Sequence, residues 1–362
     1  MPLRRSENAP QQSYRISSLS SAVKRALLDV LRLPGVTTPF APFTRGCAAV
    51  FMLHRFRHAD LGINGHDPAL LRRSLEYLRH HRYDIVDVNE LAHRLMGEGR
   101  PLHRTVAFTM DDGYRDQAEI AAPVFAEYDC PVTTFVTTGF LDGDIWLWWD
   151  QIEFVFSSVK RAELALCLSQ SALSYRCNSA SERRWATADF SARCKQLPDA
   201  DRRTGIAALA EAAAVDLPSG PPERYAPMTW GQLRKCESRG MTFGPHSVTH
   251  PLLARASDEQ SRRELIESRD RLSRGATTPV PVFCYPNGQW DDFGRREMDT
   301  LCELGFIGAL TAVSGYADAA TVRREPWGQF MIRRFSYPDS LSGLIQVVSG
   351  VERFKQLLRR ET

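Results

Sequence analysis

Residues 105–113, TVAFTMDDG, carry two adjacent carboxylates, Asp111 and Asp112, directly after a short apolar run. An apolar run of this length ending in a charged break reads as a buried strand and is too short for a buried helix. Barrel enzymes place their catalytic groups at the C-terminal ends of parallel strands, which is where the two aspartates fall. If strand geometry persists through them, their side chains project to opposite sides, so that one can bind a metal while the other acts as a base. Taken alone, a DDG turn is more often a solvated loop.

Working outward, CAAVFMLHRF (47–56) reads as a second buried strand with His54 at its C-terminal end, and DPALLRRSLEYLRHHRYDIVDVNELAHRL (67–95) as helix, strand and helix. CPVTTFVTTGF, GMTFGPH, FCYPNG and FIGALTA supply further strands. Helical stretches separate them, among them SDEQSRRELIESRDRLSRG, with Ser257 as N-cap and Gly275 at its end. Strands alternating with helices predict an α/β fold with a parallel sheet or barrel. Residues 150–225 interrupt the alternation with a helical, Ala-rich and charged insertion, opened by WLWWDQIEFVF and closed by PSGPP. The three tryptophans at its entrance, Trp146, Trp148 and Trp149, suit either the apolar faces of sugar rings or ordinary packing. The organisation expected is a polar, mobile tail and short helix over 1–45, one barrel domain over 46–345, and a terminal helix or tail over 346–362.

A chain of 362 residues with 43% apolar and 25% charged residues can bury a large single core. With 46 basic and 43 acidic side chains the net charge is +3, which favours neither nucleic acid nor an anionic membrane. The eight cysteines are scattered without a C-x-x-C pair, as expected of reduced, mostly buried thiols. No stretch approaches the ~18 apolar residues of a spanning helix, and the basic N-terminus lacks an apolar h-region. A cytoplasmic protein is expected.

HSVTH (246–250) sets His246 and His250 four apart, where a helical turn would bring both imidazoles to one face. Two neutral imidazoles and one carboxylate make an open, catalytic metal site, although a pair of surface histidines is an equally good reading of this motif alone. The Pro-Asn-Gly turn of FCYPNG exposes backbone N–H groups that could stabilise an oxyanion, or is simply a turn.

Taken together and in this order, VAFTMDDGYRD, FGPHSVTHPLL and FCYPNGQWDDF resemble the signature motifs of the polysaccharide deacetylases, carbohydrate esterase family 4. VFMLHRF is similar to the strand that opens the barrel in the branch acting on N-acetylglucosamine polymers. The resemblance covers residues 46 to 345 and implies a distorted (β/α)7 TIM-like barrel. Position by position, it implies Asp111 as general base, Asp112, His246 and His250 as ligands of a divalent metal (Zn²⁺ first, Co²⁺, Ni²⁺ or Fe²⁺ as alternatives), and the Tyr285 backbone amide as oxyanion donor. Two features depart from the family pattern. The third motif lacks the usual Arg that orients the base, for which Arg334 of FMIRRF, or its neighbour Arg333, is the substitute. The usual late catalytic histidine is also missing, because His250 is the last histidine, so His54, or Asp111 returning its proton, is left to protonate the leaving amine.

The function expected is metal-dependent removal of an N-acetyl group from an amino sugar in a polysaccharide or glycan precursor. Hydrolysis of a different N-acyl group, such as formyl, and a sugar-binding pseudoenzyme are the competing readings.

Overall fold

In the computed structural model, residues 28–33 and 35–360 are described. The expected tail and most of the expected first helix lie outside them. Among the described residues the strands, in chain order, are β1 (Cys47–Leu53), β2 (Asp84–Ile85), β3 (Thr105–Asp112), β4 (Thr133–Val136), β5 (Glu163–Leu168), β6 (Ser171–Arg176), β7 (Thr242–Pro245), β8 (Val282–Cys284), β9 (Gly308–Ser314), β10 (Ala317–Asp318) and β11 (Ile332–Ser336). Seven of them form a parallel sheet in the order β7-β4-β3-β1-β11-β9-β8. The Val280 N–H donates to the Phe243 carbonyl at 2.8 Å and draws the two edge strands together. The sheet is thus nearly closed, with helices around it, as in a distorted (β/α)7 barrel.

Alternation along the strands decides what faces the interior. Ala48 and Val50 of β1, Ala107 of β3, Phe135 of β4, Cys284 of β8, Leu310 of β9 and Ile332 of β11 share one apolar cluster, which residues from six strands can do only inside the barrel. The residues between them, such as Phe51, Leu53, Phe108 and Met110, pack outward on the helices Pro68–His80 and Ala122–Glu127. Asp111 shares parity with Ala107 and Thr109, and Arg334 with Ile332, so both point into the barrel at its C-terminal rim.

Between β4 and β7 the chain leaves the barrel. The Trp148–Ser158 helix, the β5–β6 hairpin and the helices Ala180–Cys194 and Asp199–Ala213 enclose a core of their own that includes Ile152, Phe156, Tyr175, Phe190 and Leu209. The hairpin corrects the expectation of an all-helical insertion. ELALCL and SALSYR alternate in hydrophobicity, and Ser169 and Gln170 between them both take left-handed backbone angles, φ 43° and 68°, as a two-residue hairpin turn demands. At the far end of the chain the Val351–Arg360 helix lays Phe354 against Phe40 and Phe43, with ring centroids 5.4 and 5.1 Å away. Among the described residues no helix is long and apolar enough to cross a membrane.

Candidate metal centre and active site

Asp112, His246 and His250 are buried and converge, each histidine placing its Nε2 3.7 Å from Asp112 Oδ1. Ligands bound about 2 Å from a shared ion stand about 3–4 Å apart, so the three fit one divalent cation. Asp112 reaches this position because β3 ends in two left-handed residues, Asp112 at φ 80° and Gly113 at φ 92°. At Gly113 a Cβ would come within 2.7 Å of the Leu141 side chain. His246 follows β7 directly. Its Nδ1 donates to the Cys284 carbonyl at 2.7 Å, which leaves Nε2 as the free lone pair facing Asp112.

The path from His246 to His250 is not the expected helical turn. Ser247 and His250 both have left-handed backbone angles, φ 65° and 55°, and the loop between them is pinned from outside. Glu264, on the Asp258–Gly275 helix, accepts the Val248 and Thr249 N–H groups at 2.7 and 2.9 Å, while Ser247 Oγ accepts the His250 N–H at 3.0 Å. From the other side, the Thr138 and Gly139 N–H groups donate to Ser247 and Val248 carbonyls at 3.1 and 3.0 Å. Gly139 must be glycine for that approach, since a Cβ there would sit 2.7 Å from the Val248 oxygen. Burial lowers the pKa of His246 to about 4 and that of His250 well below the usual imidazole range, so both rings are neutral at pH 7, the form in which an imidazole can bind a metal. Burial, with Asp111 and Asp150 nearby, pushes the Asp112 carboxyl up, a cost that a cation would reverse.

Asp111 faces the opposite way. Arg334 grips it with two parallel bonds, Nη1 to Oδ1 and Nη2 to Oδ2, each 2.8 Å. The guanidinium is itself fixed by Thr109 Oγ1, the Thr311 carbonyl and Cys284 Sγ at 2.9, 2.8 and 3.1 Å. Burial acts to raise the Asp111 pKa, but the Arg334 charge and hydrogen bonds, together with His246 and His54, outweigh it and hold the carboxyl well below the usual range. Arg333, the other candidate, lies instead over the Trp290 ring at 5.4 Å. His54 stands across the mouth with its Nε2 3.9 Å from Asp111 Oδ2 and its side chain 43% exposed. Its crowded surroundings lower its pKa while Asp111 pulls the other way.

The oxyanion donor named from sequence is differently placed. The Tyr285 N–H donates to the Leu310 carbonyl at 3.1 Å and is spent within the sheet, while its ring stacks on Phe293 at 4.0 Å. Two residues on, Asn287 lines the cavity with a left-handed φ of 58°. Among the described residues neither its backbone N–H nor its Nδ2 has an acceptor.

A polysaccharide deacetylase family model matches residues 220–301, the segment that carries HSVTH and FCYPNG. Over that segment the chain is similar to the polysaccharide deacetylases. The Streptococcus pyogenes deacetylase PplD, solved in complex with acetate, matches with a TM-score of 0.55 and 18% identity over 84% of this chain and 99% of that one. IcaB from Ammonifex degensii matches with a TM-score of 0.51 and 13% identity over 84% and 97%. At these identities the likeness is one of fold. No curated protein sequence matches.

The cavity over Asp112, His246 and His250 has a volume of about 490 Å³ and a wall that sequence reasoning missed. The Trp149 indole N–H donates to Tyr114 Oη at 2.9 Å, and the Tyr114 hydroxyl donates to Asp150 Oδ2 at 2.7 Å. Trp149 also sets its ring edge-to-face against His250, centroids 4.6 Å apart, and Arg55 covers the Tyr114 ring at 4.0 Å. The signal was a Tyr immediately after DDG and an Asp immediately after two tryptophans, a pairing that only the fold brings together. Trp148 and Trp149 line the cavity, whereas Trp146 is buried against Phe154 and Tyr225.

Proposed function

We propose that this protein removes the acetyl group from the amino nitrogen of an N-acetylated sugar, with a divalent cation, Zn²⁺ by preference, held by Asp112, His246 and His250. The observation that carries the reading is the bidentate Arg334–Asp111 pair beside a set of two neutral imidazoles and one carboxylate. A cation in that set would polarise the amide carbonyl and acidify a water.

Asp111 takes the proton of the attacking water, and Arg334 keeps the carboxylate ionised and fixed in orientation. The Asn287 N–H, unspent at the cavity wall, donates to the oxygen that gains charge, the part sequence had given to Tyr285. Tyr285 holds the turn that aims Asn287. The proton that Asp111 takes from the water then passes to the leaving nitrogen, which cannot depart as an amine anion, with His54 on the rim beside Asp111 as the relay. Acetate and a free amino sugar result. All eight cysteines are free, six of them buried, which accords with a reducing, cytoplasmic setting.

Mass spectrometry of N-acetylated oligosaccharides, lipid-linked sugars and simple glycosides after incubation with Zn²⁺-loaded protein tests the proposal. Loss of one acetyl group per reacting residue, with release of acetate, is expected. No acetate from any of the three classes overturns it.

A further inference from the structure

Asp150 is 3% exposed, lines the cavity beside the metal ligands, and takes no part in the reaction steps above. Its Oδ2 accepts the Tyr114 hydroxyl, and among the described residues no donor reaches its Oδ1. That oxygen therefore keeps an open accepting position on the cavity wall, which a ligand hydroxyl can fill. The chain of bonds behind it fixes its aim: Trp149 holds Tyr114, and Tyr114 holds Asp150. The same indole touches His250 at one edge and bonds Tyr114 at the other, so a single indole spans the distance from the metal ligands to the Asp150 partner.

We infer that Asp150 is the acceptor for a hydroxyl group on the same sugar ring that carries the acylamino group, and that Trp149 lies along that ring. The inference rests on the proposed action on amino sugars and deepens it. Asp150 is then a specificity-determining residue: it selects a ring whose hydroxyl satisfies Oδ1 when the acyl group is at Asp112, His246 and His250. A site built to hydrogen-bond a hydroxyl rejects the analogue lacking it far more strongly than an apolar pocket rejects a change of size, because the buried acceptor is left unpaired.

The test uses the full chain, an N-acetylglucosamine oligosaccharide and its set of monodeoxy analogues, with both kcat/KM and calorimetric Kd measured. For the parent, removal of one particular hydroxyl is expected to cost about 100-fold in kcat/KM. Asp150→Ala should erase that difference while acting on the parent sugar as weakly as on the analogue. Asp150→Asn, which keeps an acceptor for Tyr114, should fold like the parent and retain part of the discrimination. A structural role for Asp150 lowers the melting temperature but leaves the ratio between sugar and analogue where it was. The same ratio in the parent and in Asp150→Ala overturns the inference while deacetylation stands. Binding that depends on the hydroxyl and on Asp150, without acetate release, overturns deacetylation and leaves the inference intact.

Discussion

The barrel mouth and the inserted lobe hold themselves together by different means. At the mouth, Asp111 and Arg334 are buried as a charged pair, and four non-glycine residues, Asp112, Ser247, His250 and Asn287, are held in left-handed backbone conformations. The lobe between β4 and β7 is an ordinary apolar unit, with Phe156, Tyr175 and Phe190 packed edge to face around its own centre. Strain and buried charge collect where chemistry is done, at the expense of stability that the surrounding sheet supplies. The lobe lends the site one edge, the start of the Trp148–Ser158 helix, and keeps the rest of its residues for itself.

Breaking the mouth should therefore cost more than breaking the lobe. Arg334→Ala leaves Asp111 buried and unpaired, which should destabilise the chain by about 3–5 kcal/mol in denaturant titration and lower turnover at least ~100-fold. In the lobe, Phe156→Ala should also cost about 3–5 kcal/mol, but locally. Hydrogen exchange should rise over residues 152–213 and leave β1 and β3 protected. Equal deprotection of the barrel strands would show that the two regions are one cooperative unit.

Smaller changes sharpen the contrast. Glu264→Ala removes the acceptor that pins Val248 and Thr249, and should cost about 1–3 kcal/mol together with a weaker hold on metal through His250. Full metal affinity in that variant would mean that the left-handed loop needs no outside support. The smallest effect is a pH trend. Burial raises the pKa of Asp150 to about 7, with the Tyr114 bond opposing it. Because the folded pKa is raised, the stability tied to the protonated form is present at low pH and is lost as pH climbs from the ordinary carboxylate range through about 7. Asp150→Asn should accordingly gain on the parent across that window, and a constant difference from pH 4 to pH 8 would contradict the assignment.

Much of the barrel was legible in sequence because buried strands announce themselves as short apolar runs, and because Asp111, Asp112, His54 and His246 stand at the ends of such runs. Arg334 was legible only through the resemblance of FMIRRF to a family strand, which left Arg333 open, and it is the fold that turns Arg334 to Asp111 and Arg333 to Trp290. The HSVTH loop was misread because a spacing of four suggests a helix, and nothing local reveals that Ser247 and His250 adopt positive φ under the hold of Glu264, 16 residues from Val248. Sequence does not show that strand β9 consumes the Tyr285 N–H, while the Asn287 N–H two residues on has no acceptor among the described residues. The Trp149–Tyr114–Asp150 chain joins residues 35 and 36 positions apart, beyond any local pattern.

Metal content and turnover, measured together on purified variants, test the central account most directly. The parent should bind one divalent ion per chain and release acetate. The triple variant Asp112→Ala/His246→Ala/His250→Ala should lose both properties, while Asp111→Asn should keep the ion and lose at least ~100-fold in turnover. Stoichiometric metal in the triple variant, or near-parental turnover in Asp111→Asn, would contradict the division of labour between the two aspartates.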